Sequence, residues 1–276
     1  MGASGKTGRA VTRALAARGF SVRAAVRSEG AAERVYAAGA GELAVLDLET
    51  GAGLERALED VWGVYHLAPN VHPDEVGMAA RVTATAEAAG ARRLVFHSVL
   101  NPDDASMPHH LRKAQAEGVV CGGGVPWTVL RPAAYHQNLV PAALAGEIAV
   151  PYSLDSPFTN VDLSDVALVA ATVLSEPGHE GQVYDLAGPE ALTVREMAAR
   201  ASEVLGRPVA AAETDRGAWE AGPGAALPDT ARQDLLAMFE SYDREGLVGG
   251  SAWLWALLGH LPTTWAEAVA AARNTP

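Results

Sequence analysis

Short apolar runs alternate with helix-length segments through the first hundred residues, and this alternation restricts the fold more than any other feature. Val22, Ala24 and Val26 alternate within 21–27 as in a strand. A helix is expected over 31–38, followed by the apolar run 43–47. A second helix over 54–60 leads to the run 63–68, and a longer one over 74–89 leads to the run 93–98. Short connections between such elements are the mark of an α/β chain with a parallel sheet. Right-handed crossovers then gather the loops that follow the strands along one edge.

A glycine loop precedes the first helix. Gly2-Ala3-Ser4-Gly5-Lys6-Thr7-Gly8 spaces three glycines as G-x-x-G-x-x-G, a helix is expected over 9–18, and Gly19 is its stop. Without side chains, backbone N–H groups can approach a pyrophosphate at the positive end of a helix dipole. The loop and the alternation together predict a doubly wound parallel Rossmann sheet. Such a loop ordinarily follows a buried strand, so an upstream run of four to six β-formers is expected ahead of Met1. A P-loop is the competing reading, because Gly5-Lys6-Thr7 resembles its end and the run 43–47 closes on Asp47. That motif needs a glycine five positions before Gly5, outside this sequence, whereas the third glycine at Gly8 favours a dinucleotide.

The second strand ends at Arg27-Ser28-Glu29, roughly twenty residues past the glycines. An acidic residue there would accept the ribose hydroxyls of NAD, and an arginine suits the 2′-phosphate of NADP. Arg27, with Ser28 as a second donor, favours NADP(H) over NAD(H), whereas a longer strand would put Glu29 in the acidic role. Further cofactor contacts are expected at Asp47 and Leu48 and at Leu67, Ala68 and Pro69, where later strands end.

Of 21 basic residues only Lys6 and Lys113 are lysine. Where charge alone is needed this chain uses arginine, so the two lysines point to places that require a compact ammonium. Lys6 lies in the glycine loop. Lys113 follows Pro108 on a predicted helix, with His109 one turn earlier on the same face.

At this point the sequence resembles a family. Short-chain dehydrogenases carry Tyr-x-x-x-Lys here, and His109 stands in place of the tyrosine. That replacement, with the loop Gly-Ala-Ser-Gly-x-x-Gly, resembles the NmrA-like branch of atypical short-chain dehydrogenases. The segments 125–132, 135–138, 161–167, 183–190 and 257–262 are similar to five further segments of that family, in the same order. The resemblance implies that Lys113 binds the nicotinamide ribose and that Tyr135 borders the cofactor. It also implies that Ser98, at a strand end, hydrogen-bonds the substrate. His109, with a reference pKa near 6.5, could deliver a proton at neutral pH, or it could be an exposed helix-start residue.

The expected division is a core of 1–131 plus 161–188 and a small α/β C-terminal cap of 132–160 plus 189–276. A substrate pocket lined by Asn70, Leu100, Gln137, Asn138 and Phe158 would be mostly apolar with a few amides, which suits a flat quinone-like or carbonyl acceptor. Two functions follow from the resemblance: an NADPH-dependent reductase, or a catalytically silent NAD(P)-binding redox sensor that regulates a protein partner.

A net charge of −12 repels phosphate backbones and argues against direct nucleic-acid binding. The apolar stretches 166–174 and 252–258 are too short to span a bilayer, and no charged segment leads into a hydrophobic run, so neither membrane span nor signal peptide is expected. A single cysteine, Cys121, precludes an internal disulfide and fits a cytoplasmic protein, monomeric or homodimeric. It is expected to be a small buried residue, and Trp253 and Trp255 to be core or interface. The eight histidines show no metal spacing, and no metal site is expected.

Overall fold

The computed structural model describes residues 1–274. In chain order the elements are α1 (Lys6–Ala17), β1 (Arg23–Val26), α2 (Ala32–Tyr36), β2 (Glu42–Val45), α3 (Leu54–Leu58), β3 (Gly63–His66), α4 (Glu75–Ala88), β4 (Arg93–His97), α5 (Pro108–Cys121) and β5 (Trp127–Pro132). Then come α6 (Val140–Ala145), β6 (Glu147–Val150), α7 (Leu163–Ser175), β7 (Gln182–Leu186), α8 (Val194–Leu205), β8 (Ala210–Glu213), α9 (Arg216–Ala221), α10 (Asp229–Glu245), α11 (Ala252–Leu258) and α12 (Trp265–Arg273). No described helix is long and apolar enough to cross a membrane.

Two compact units result. The first comprises Met1–Pro102, Arg112–Arg131 and Val166–Tyr184; the second comprises Asp103–Leu111, Pro132–Asp165 and the chain from Asp185 onward.

In the first unit β1 pairs with β2 in parallel, and a separate sheet runs β3-β4-β5-β7, with β3, β4 and β5 parallel. Val64, Tyr65 and His66 of β3 are buried, as are Leu94, Val95, Phe96 and His97 of β4. Unbroken burial along a strand is what two covered faces require. Met78, Ala79, Val82 and Ala86 of α4 pack with Leu94, Phe96 and Val129 in one apolar cluster.

Element boundaries differ from expectation by a few residues. The first helix starts at Lys6 rather than Arg9, because Gly5 is its N-cap and the last glycine-loop residues are already helical. Gly19 ends it as expected, in the left-handed region at φ +82°.

The two sheets of this unit are separated by a cavity of about 420 Å³. Val11 and Leu15 of α1, Arg23 and Ala24 of β1, Gly63 and Tyr65 of β3, and Leu174 of α7 line it. Among the described residues no strand pairs with the second edge of β1 or of β3. Met1 and Ala3 touch both edges at their carboxyl ends: the Met1 amino group donates to the Tyr65 carbonyl at 2.5 Å, and the Ala3 N–H donates to the Ala25 carbonyl at 3.2 Å. The amino terminus thus sits buried at the head of the slot between β1 and β3. Its pKa is pushed from 8.0 to about 5 by burial.

The second unit holds the parallel pair β6-β8. Two of its helices begin with reciprocal capping boxes, Thr193 with Glu196 on α8 and Thr264 with Glu267 on α12. Trp265 is fully buried, and its indole N–H donates to the Met197 carbonyl at 2.7 Å. Trp253 and Trp255 on α11 are, by contrast, 52% and 56% exposed and are not core residues. An all-apolar helix such as Ala252–Leu258 carries no periodic signal to say which face turns inward. Cys121 ends α5 and is half-buried, and burial raises its thiol pKa.

Candidate functional site

The carboxyl ends of the parallel strands carry the expected cofactor residues. Arg27 and Ser28 follow β1, Asp47 and Leu48 follow β2, Leu67, Ala68 and Pro69 follow β3, and Ser98 follows β4. Arg27 and Ser28 are exposed, whereas Leu48 and Ala68 are buried. Asp47 accepts from the Glu49 N–H at 2.8 Å, and this bond, helped by the Arg27 charge, holds its carboxyl below the usual range. Asn70 is exposed and Leu100 is buried.

The three glycines of the loop are not equivalent. Gly2 has φ +65°, and a Cβ there would lie 2.9 Å from the Leu67 carbonyl oxygen. A Cβ on Gly8 would lie 2.2 Å from the Gly2 oxygen and 2.6 Å from the Ala3 Cα, so α1 packs on the loop only through glycine. A Cβ on Gly5 would meet the Gly2 oxygen at an ordinary 3.5 Å. Gly5 is exposed, and no side chain caps α1. An uncapped helix start with a bare approach at Gly5 fits a pyrophosphate held by backbone N–H groups. Burial lowers the pKa of Lys6 in the same turn.

A prediction separates the two roles. Gly8→Ala forces backbone apart and is expected to lower the melting temperature by about 5 °C or more. Gly5→Ala is expected to leave melting unchanged and to weaken dinucleotide binding about tenfold. Thermal denaturation and a fluorescence titration check both; equal melting of the two variants would contradict the assignment.

A buried polar cluster joins β3, β4, α4 and α5. Lys113 is 4% exposed, and its Nζ donates to the His97 carbonyl at 3.0 Å, pairs with the Glu75 carboxylate and stands 5.2 Å from the Phe96 ring centre. Glu75, the first residue of α4, is fully buried. The Tyr65 hydroxyl is 2.5 Å from Nδ1 of His97. Burial, aided by the Lys113 charge, pushes the His97 pKa down to about 3. His66 is fully buried with no hydrogen-bond partner on either ring nitrogen, and burial drives its pKa well below 6.5.

Ser98 is 1% exposed and donates its hydroxyl proton to Glu117, which Arg131 grips through Nε at 2.9 Å and 3.1 Å and through Nη2 at 2.5 Å. The Ser98 proton is therefore committed to a carboxylate. Glu75, Glu117, Arg131, Tyr65, His97 and His66 are the polar residues of this cluster that sequence reasoning missed. Their partners lie far apart in sequence, and no local pattern pointed to them.

The remaining expected residues lie in the second unit. His109 is 2% exposed, so it is not a solvent-facing helix-start residue, and its ring meets His110 edge-on at 5.9 Å. Tyr135 forms an isolated parallel bridge with Val161. The Gln137 amide donates to Asp162 at 2.6 Å and accepts from the Leu163 N–H at 3.0 Å. Asn138 is exposed, and Phe158 is buried against Tyr152 and Tyr242, with ring centres 5.2 Å and 5.3 Å away.

Parallel strands, a glycine cradle at the head of α1 and polar groups at the strand ends define a Rossmann-like α/β protein of the dinucleotide type. The NmrA-like family profile matches residues 1–269, and the chain belongs to that family. It is 38% identical over 216 residues to the (4-alkanoyl-5-oxo-2,5-dihydrofuran-3-yl)methyl phosphate reductase of Streptomyces griseus, covering 75% of this chain and 73% of that protein. It is 30% identical to the NAD(P)H azoreductase of Xenophilus azovorans over 97% of this chain and 94% of that one. Among solved structures, the NADPH-dependent quinone oxidoreductase of Escherichia coli complexed with NADPH superposes with a TM-score of 0.84 at 27% identity, covering 99% and 98% of the two chains.

Proposed function

We propose that this protein is an NADPH-dependent reductase of a small quinone-like or carbonyl acceptor. The observation that carries this reading is the loop at the head of α1, where Gly2 and Gly8 admit no side chain and Gly5 faces outward below an uncapped helix start. Relatives at 30% identity and above are named as reductases, and the NADPH complex of a structural neighbour supports a nicotinamide cofactor. A bound nicotinamide supplies the hydride. The chain's own residues would hold the pyrophosphate at Gly2–Gly8, receive the adenine ribose at Arg27, Ser28 and Asp47, and bind the nicotinamide ribose with Lys113.

Preference for NADPH rests on Arg27. An exposed guanidinium at the end of β1 can form two charge-assisted bonds to a 2′-phosphate and none of like strength to a hydroxyl. NADPH is expected to bind about ten- to a hundredfold tighter than NADH, and Arg27→Ala to bring the two together. Titration of both nucleotides into both proteins tests this; equal affinities in the unsubstituted protein would sink it. Consumption of NADPH against a panel of quinones and aldehydes tests the reductase reading itself. Tight nucleotide binding with no turnover on any acceptor would transfer the assignment to a redox sensor.

A further inference from the structure

We propose that Glu75 is a positioning residue: its buried carboxylate holds the Lys113 ammonium charged and in place for the nicotinamide cofactor. This rests on the reading of the site as a nicotinamide-dependent reductase.

An ammonium has three donors. Lys113 spends one on the His97 carbonyl and one on Glu75, and the Phe96 ring faces the charge. One donor direction remains, which makes the side chain a fixed pointer instead of a mobile surface cation. The position is costly to hold. Both partners are almost fully removed from water, and the second carboxylate oxygen of Glu75 has no hydrogen-bond partner among the described residues. Folded proteins rarely leave buried polar atoms unsatisfied, and such an atom calls for a functional explanation. An apolar pair of the same volume would pack more cheaply, so holding the charge there must serve something other than stability.

Among the described residues the carboxylate paired with the Lys113 ammonium is that of Glu75. The other ionisable groups facing Lys113 are His66 on β3 and His97 on β4, with the Met1 amino group close to His66. Burial holds all three below neutrality, aided at the two histidines by the Lys113 charge, so none of them changes charge between pH 7 and pH 9 and none is an anion. With Glu75 neutralised, burial acts on the ammonium unopposed and favours its deprotonated form.

The test is NADPH affinity, read by quenching of protein fluorescence at pH 7 and pH 9, together with melting temperature. The unsubstituted protein is expected to bind equally at both values. Glu75→Gln is expected to bind about tenfold more weakly at pH 7 and about tenfold more weakly again at pH 9, as Lys113 loses its proton. Glu75→Asp keeps the charge but is shorter by one methylene, so its affinity falls several-fold while the pH profile stays flat. Lys113→Met is expected to be weak and flat. A purely structural role for Glu75 lowers melting without creating a pH dependence, and that result overturns the proposal. So does unsubstituted-level affinity in Glu75→Gln at both pH values. If Glu75→Gln does not fold, Glu75→Asp decides, and full affinity in it is the overturning result. Unsubstituted-level affinity in Lys113→Met would instead remove Lys113 from the cofactor site, taking this proposal with it. That outcome is distinct from Glu75 failing while Lys113→Met is impaired.

Discussion

A chain lengthened ahead of Met1 by five β-forming residues, such as alternating valine and isoleucine, is expected to melt about 10 °C or more above the 276-residue chain. The slot between β1 and β3 presents two facing rows of backbone donors and acceptors, and a parallel strand placed there would pair with both. Each net backbone hydrogen bond contributes about 0.5–1.5 kcal/mol, and several form at once. Val11, Leu15 and Leu174 offer apolar wall for the new side chains, at roughly 25 cal/mol per Å² of surface removed from water. For a protein of this length about 1 kcal/mol shifts melting by about 2–4 °C, so several bonds and a covered wall reach the stated shift. Equal melting of the two chains would show that the slot is not a strand site.

The same extension is expected to change how stability depends on pH. The Met1 amino group is pushed from 8.0 to about 5 in the folded state. Between these values the unfolded chain holds a proton there and the folded chain does not, so stability falls as pH drops from 8 towards 5. Above pH 8 both states are neutral, and below pH 5 both are charged; the effect is confined to that window. A gap of about three pKa units corresponds to a few kcal/mol. In the lengthened chain the group is an amide that cannot titrate but still donates to the Tyr65 carbonyl. The difference in melting between the two chains should therefore widen from pH 8 to pH 5, and a constant difference would assign the cause elsewhere.

Local pattern carried the alternation of strands and helices because each signal lies within a few residues. Gly19 stops α1 by its own left-handed backbone, and Pro108 opens α5 by its fixed φ. The buried polar cluster depends on partners far apart in sequence. Asp74-Glu75 at the start of α4 reads as an ordinary solvated pair favoured by the helix dipole. Only the packing of α4 and α5 reveals that Glu75 faces Lys113. Likewise Ser98 meets Glu117 and Arg131 because β4 and β5 are in register, with the Ser98 N–H donating to the Leu130 carbonyl at 2.8 Å. Strand register cannot be read from one strand alone. His66 was invisible for a further reason: in an apolar run such as 63–68, a single histidine at a strand end looks like any surface residue.

His109→Phe is expected to leave NADPH affinity within about twofold of the unsubstituted protein and to lower kcat on a good quinone acceptor by about 100-fold, the usual size of a general-acid contribution. His109 precedes Lys113 by one turn of α5, so the two side chains leave the helix on the same face. The ring is 2% exposed and meets His110 edge-on at 5.9 Å. A proton delivered to a reduced oxygen can be regained from water between turnovers. Phenylalanine keeps the ring and its packing while removing the proton, so an unchanged melting temperature would separate chemistry from folding. Lys113→Ala provides the contrast, since loss of its charge-assisted bond weakens cofactor binding and turnover together. A His109→Phe enzyme with full kcat would give proton delivery to water or to another group, and the histidine would then be a packing residue of α5.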